Sequence, residues 1–214
     1  MNKPLIVILL LFSTIAQAQV YSDAKLWTAF SVTKKIDKFE FAASEELRFN
    51  ENFTHIDKVF TELGASYEVI ENLSVGFAYR YSRDNDYSEQ AFDMSHRMDF
   101  GIDYKNKFQN FKWSIRNKIQ TKPSDKYSRN PTYNRTKFTV KYDLDQDYEP
   151  YVYYEFYYQF NNEQIINRSR ISIGAKYDFN KDNSIKAFYI FENRFNTEDL
   201  EHNHIWGVSY SLDL

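Results

Sequence analysis

Residues 73–81 read LSVGFAYRY, so that Leu73, Val75, Phe77, Tyr79 and Tyr81 fall on one face of an extended chain and Ser74, Gly76, Ala78 and Arg80 on the other. Successive side chains of a strand point to opposite faces, so strict alternation marks a strand with one apolar and one polar side. A strand that crosses a bilayer needs about 9–11 tilted residues, apolar toward lipid and free to be polar toward a lumen. The segment has that length and that pattern.

The rhythm continues in both directions. On the N-terminal side lie segments at 25–33 (Leu26, Thr28, Phe30, Val32), 39–49 (Phe39, Phe41, Ala43, Leu47, Phe49) and 57–67 (Val59, Leu63, Ala65, Tyr67). On the C-terminal side follow 95–105 (Met98, Phe100, Ile102, Tyr104), 111–120 (Phe111, Trp113, Ile115, Ile119) and 133–142 (Phe138, Val140, Tyr142). Further on come 150–160 (Val152, Tyr154, Phe156, Tyr158, Phe160), 167–177 (Ile171, Ile173, Ala175, Tyr177) and 183–193 (Ile185, Ala187, Tyr189, Phe191). The last segment, 203–214, carries Trp206, Val208, Tyr210, Leu212 and Leu214 on one face. Short connections near 34–38, 70–72, 106–110, 143–149 and 180–182 alternate with longer polar ones near 50–56, 82–94, 121–132, 161–166 and 194–202. The pattern predicts an all-β, antiparallel up-and-down transmembrane barrel of ten to twelve strands, with short periplasmic turns and longer outer loops. The eleven segments conflict with the even count of bacterial single-chain barrels, whose termini both lie in the periplasm. Parity therefore predicts that one segment is not a wall strand or that a further strand lies near residues 19–24.

Lys3 followed by an apolar run from Leu5 to Phe12 and by Ala16-Gln17-Ala18 reads as a cleaved export signal over residues 1–18, leaving 19–214 as one barrel domain. Cysteine is absent, which excludes lipidation at the cleavage point, disulfides and thiolate metal sites. Losing Lys3 leaves 26 of the 27 Lys and Arg against 30 Asp and Glu, a mature charge near −4 that argues against nucleic acid. A mean hydropathy of −0.66 fits a barrel as well as a soluble chain, because half of each strand faces a polar lumen. Aromatic residues make up 19% of the chain, the composition of a barrel with interfacial girdles. The expected location is the outer membrane of a Gram-negative bacterium. The expected partners are its lipid and the insertion machinery, and the expected state is a monomer.

The polar faces supply Arg80, Arg97, Arg116, Lys118, Arg135, Lys137, Arg168 and Arg170 as lumen-lining bases, joined by Arg48, Lys141 and Lys176. Glu62, Asp99, Asp103, Glu155 and Glu192 fall on the same faces, fewer in number. Two readings follow: a lumen cross-linked by ion pairs, as charge away from water requires, or a narrow pore that prefers anions. An alternative is a lipid hydrolase with His96 at the outer rim; neighbouring Ser95 points to the opposite face, so Ser82 or Ser88 would have to be the nucleophile. A second alternative is a soluble periplasmic barrel with its apolar faces turned inward around an apolar ligand. His202 with His204, and Asp84-Asn85-Asp86, provide too few ligands for a diagnostic metal site, and no cofactor motif occurs. Trp206, Val208, Tyr210, Leu212 and Leu214 form the strand expected to direct insertion, although its last residue is not aromatic.

Leu26-Trp27, the Tyr79-Arg80-Tyr81 strand end, His96-Arg97 and the series Arg116, Arg135 and Lys137 resemble a bacterial family, the domain of unknown function 2490. Its members look like outer-membrane barrels. The resemblance implies location and architecture and brings no catalytic residues.

Overall fold

A computed structural model describes residues 21–86, 91–123, 131–144, 147–161, 164–197 and 200–214. The proposed export signal therefore lies outside the described residues. Eleven strands run β1 (Tyr21–Ile36), β2 (Phe39–Asn50), β3 (His55–Ile70), β4 (Leu73–Asp86), β5 (Ala91–Phe108), β6 (Phe111–Thr121), β7 (Thr132–Tyr142), β8 (Tyr148–Gln159), β9 (Ile166–Asp178), β10 (Asn183–Arg194) and β11 (Glu201–Asp213). Each pairs antiparallel with the next, and β11 returns to β1 to close the barrel.

Alternation sorts the side chains as the sequence predicts. Ile173 (65% exposed), Phe100 (59%) and Leu63 (55%) stand on the outer surface, whereas Asn203 and Ile205 on the inner face are fully buried. An interior full of charge removes the reading of a soluble barrel with an apolar cavity. Rings collect at both ends of the outer face. Phe39–Tyr67, Phe111–Tyr142 and Tyr148–Tyr177 pack at the turn end with centroids 4.8, 5.0 and 4.7 Å apart. Tyr189–Trp206 and Tyr158–Phe160 do so toward the other, at 4.9 and 5.5 Å. Polar outer residues are satisfied locally. Asn117 donates to Asn134 Oδ1 at 3.0 Å and to Thr136 Oγ1 at 2.9 Å, and Thr61 donates its hydroxyl to Glu45.

Eleven strands correct the parity argument. In an up-and-down wall an odd count makes the first and last strands run the same way, and β1 pairs β11 in parallel from Tyr21–Glu201 to Thr33–Asp213. Tyr21 therefore lies at the rim of the long connections and Asp213 at the rim of the short turns, not both at one rim. β1 is also longer than the 25–33 expected, since its parallel ladder to β11 begins at Tyr21 and its antiparallel ladder to β2 runs on to Ile36. The expected 82–94 loop is largely strand as well: β4 and β5 pair out to Asp86 and Ala91. Their polar residues read as loop because the hairpin rises beyond the apolar band. The turns use residues that tolerate a left-handed backbone, with Asp37 at φ 53° and Asn72 at φ 70°.

One lateral row of the inner face alternates large and small. Tyr151, Gly174, Phe188, Gly207 and Trp27 are successive cross-strand partners from β8 to β1. A Cβ on Gly207 would stand 2.1 Å from Phe188 Cζ, and one on Gly174 2.8 Å from the Tyr151 ring. Glycine is required there because the aromatic rings occupy the space of the missing side chains. Gly207→Ala is expected to lower stability by about 1–3 kcal/mol, the usual effect of overpacking, measured as the urea midpoint of the protein in detergent. Phe188→Leu in the same chain should restore most of it; an unshifted midpoint for Gly207→Ala alone would contradict this packing.

Candidate functional site

Cross-strand register places basic residues directly opposite one another inside the barrel. The pairs are Arg48–Lys58, Arg168–Arg194, Arg80–Arg97, Lys118–Arg135, Arg116–Lys137, Lys112–Lys141 and Lys176–Lys186. In this order they descend from the long-loop rim to the turn rim. Like charges directly opposite destabilise a sheet, so the fold alone gives no reason to concentrate them.

Carboxylates hold most of these bases in place. Glu62 pairs with Arg80 at 2.7 Å and with Arg97 at 2.8 Å, and Arg97 continues to Asp99 at 2.9 Å. Glu155 pairs with Arg135 at 2.9 Å, Arg170 at 3.8 Å and Arg116 at 3.9 Å; Glu192 pairs with Arg170 at 2.6 Å and Arg194 at 3.5 Å. The two signs are not equally placed. The side chains of Glu155 and Glu192 are 3% and 4% exposed, against 12% for Arg135 and 33% for Arg194. Glu155, Glu192 and Asp99 lie against the wall, whereas Glu62 is the more open member of its pair with Arg80, 22% against 12%. The bases outnumber the acids on these faces, so a solute in the lumen meets a positive field.

Aromatic rings carry the guanidinium groups between these ion pairs. Arg80 lies 3.4 Å over Phe60, Arg48 lies 4.9 Å over Phe60 and 3.7 Å over Trp27, and Arg170 lies 5.2 Å over both Trp27 and Tyr157. Arg135 and Arg168 complete the stack on Tyr157 at 4.6 and 5.0 Å. The Trp27–Arg170 contact spans from β1 to β9 across β11 and β10, so the stack reaches over the lumen rather than lining it strand by strand.

Among the described residues, one cavity lies toward each end of the lumen. The one toward the long-loop rim, of about 490 Å³, is walled by Arg48, Lys58, Arg80, Arg97, Lys122, Arg135, Arg168, Arg170 and Arg194 with Tyr133 and Tyr157, and among the described residues no acid contributes to its wall. The one toward the turns, of about 360 Å³, forms where Ala42, Gly64, Ser66, Ser74, Gly76, Ala78 and Gly101 leave room, and has Glu62, Asp99, Asp103, Arg116 and Lys118 around it. The chain of ion pairs from Arg80 through Glu62 and Arg97 to Asp99 separates them.

The eight predicted lumen bases all project inward: Arg80, Arg97, Arg135, Arg168 and Arg170 to the upper cavity, Arg116 and Lys118 to the lower, and Lys137 against the Tyr153 ring at 4.7 Å. Lys58, Lys122, Arg194 and Tyr157 belong to the same site and were not singled out by the sequence, and Trp27, named there only for the family resemblance, joins them. Lys58 and Arg194 do fall on the polar phase of their strands, but their neighbours depend on register. His96 lies on the outer face, where it shares a 2.7 Å hydrogen bond with Tyr79 Oη. Ser82 and Ser95 are on the inner face, Ser95 donating to Asp84 at 3.0 Å, and Ser88 lies outside the described residues. His204 is bonded to Tyr189 Oη at 2.7 Å, and Asp84 is held by Lys58 and Lys122 at 2.8 and 2.9 Å. Among the described residues no group of three metal-ligating side chains assembles. Trp206 and Val208 lie on the outer face of β11, in the row that continues through Tyr210 and Leu212 to Leu214.

A closed barrel that is apolar outside and charged inside has the build of the membrane-spanning class. The chain belongs to the family described as protein of unknown function (DUF2490), which it matches over residues 24–203. Among solved structures it is similar to a loop L8 deletion mutant of OmpT, an outer membrane protein of Vibrio cholerae, with 13% identity over 78% of this chain and 57% of that one, at a TM-score of 0.45. It is also similar to the anion-selective porin from Comamonas acidovorans, with 13% identity over 81% and 52%, at a TM-score of 0.41. This chain thus spans little more than half the length of either. No curated protein matches it.

Proposed function

We propose that the protein is an outer-membrane barrel that conducts small anions through a narrow basic lumen. The observation that carries this reading is the descent of opposed basic pairs from rim to rim, with Glu155 and Glu192 withdrawn to the wall. A track of one sign raises the local concentration of the opposite ion and repels its own. Residues 1–18 serve export, the insertion machinery recognises the β11 row ending in Leu214, and the barrel works as a monomer in lipid.

The test is single-channel recording of the refolded mature protein in a planar bilayer under a potassium chloride gradient. Discrete steps with a reversal potential on the chloride side support the reading. Silence from protein shown to be inserted would mean that the Arg80–Glu62–Arg97–Asp99 layer closes the lumen, and the barrel would be structural.

Lys137 and Lys186 point inward with no carboxylate within 4.0 Å among the described residues. Neutralising both, Lys137→Gln with Lys186→Gln, removes field without breaking an ion pair. At contact distance in water a unit charge contributes about 1 kcal/mol, so the chloride-to-potassium permeability ratio should fall roughly fivefold per site. An unchanged ratio would show that these bases do not face the conduction path.

A further inference from the structure

Arg168 is the one base of the upper cavity wall that makes no ion pair within the described chain; Glu192, the acid that acts on it from a distance, is already paired with Arg170 and Arg194. The other eight bases of that wall make ion pairs with Glu46, Glu62, Asp84, Asp99, Glu155, Glu192 and Glu201. Arg168 forms no ion pair or hydrogen bond among the described residues, and its Nε is buried without a partner. Of its cross-strand neighbours, Arg194 faces it from β10 with a like charge, and Tyr157 faces it from β8 with a ring 5.0 Å away but no carboxylate. A half-buried guanidinium beside another guanidinium is costly unless an anion joins it.

Among the described residues, nine bases against seven carboxylates leave the wall with an excess of two positive charges. Seven of the nine are arginines, whose planar forks suit the paired oxygens of a carboxylate or phosphate better than they suit chloride. The volume of about 490 Å³ lies in the range of small-molecule sites.

We propose that Arg168 anchors a binding seat for a small doubly charged oxyanion, a phosphate group or a dicarboxylate, with Arg194 and Arg135 completing the charge and Tyr157 fixing the plane of the Arg168 guanidinium. The seat rests on the anion-conduction reading for its setting, but binding is measured without current. It makes the upper cavity a selective station rather than a uniform positive field.

Trp27 supplies the probe, because its ring packs on Arg48 and Arg170 of the same wall. The other two tryptophans, Trp113 and Trp206, sit on the outer face and are replaced by phenylalanine in the full mature chain. Trp27 fluorescence is then titrated in detergent with inorganic phosphate, succinate and chloride. The expected result is a saturable change with phosphate or succinate at concentrations about tenfold or more below those of chloride, the better of the two naming the oxyanion. Arg168→Gln should weaken that binding about tenfold or more, whereas Lys122→Gln, which removes an equal charge from the same wall, should weaken it only about twofold. No saturable response to either dianion, or equal losses from the two substitutions, would overturn the seat. Binding in a barrel that carries no current leaves the seat standing and removes conduction; current without saturable binding does the reverse.

Discussion

A chain ending before Glu201 yields no folded barrel. β11 pairs β1 over thirteen positions and β10 over twelve, so its loss uncovers the ladders of both neighbours at once. In hydrocarbon each unsatisfied backbone group costs several kcal/mol, and no water is present to substitute. Such a deficit exceeds the net stability of about 5–15 kcal/mol typical of folded proteins. The expected outcome is complete loss of the heat-modifiable, membrane-integrated form on electrophoresis of outer-membrane fractions. Truncated protein that still accumulated folded would mean that β1 closes on β10, and that the outer row of β11 does not direct insertion.

Replacing Glu155 with leucine should be the most damaging single substitution in the lumen. Its carboxylate is reached by Arg135, Arg170 and Arg116, and Tyr157 Oη donates to it at 3.3 Å. Removing one member of a buried ionic cluster leaves the rest unpaired and typically costs about 3–5 kcal/mol. Urea unfolding in detergent measures it, with Glu68→Gln as the contrast. Glu68 pairs with Lys35 at 3.5 Å with side chains 39% and 62% exposed, a setting worth less than about 1 kcal/mol. Equal midpoints for the two variants would mean that the lumen is so well hydrated that Glu155 behaves as a surface group.

The strands were legible because alternation is a local property: Leu73 to Tyr81 declares its two faces without reference to any neighbour. The sign of the lumen was legible for the same reason, since Arg116 with Lys118 and Arg168 with Arg170 share a phase with their neighbours two residues away. What a single strand does not carry is register. Whether Arg80 meets Arg97 or Asp99 across β4 and β5 is decided by a shift of two residues, and that shift separates an ion pair from a repulsive one. Arg168 and Arg170 are identical in sequence terms, yet Arg170 meets Glu155 and Glu192 while Arg168 meets Arg194 and Tyr157. The parity rule misled because it describes barrels whose closing strands are antiparallel, and nothing in the β1 alternation reveals the direction of its second partner. Glu45 escaped notice because its outward position is tolerated through one hydroxyl, that of Thr61 on the adjacent strand.

Closure by two strands running the same way gives the molecule a built-in direction. A small epitope ahead of Tyr21 and another after Leu214 would be read from opposite sides of a vesicle, so protease added outside trims one and spares the other. Orientation in a reconstituted bilayer can then be scored molecule by molecule. A current that passes more easily one way, as two unlike cavities in series would produce, becomes assignable to inward or outward flow.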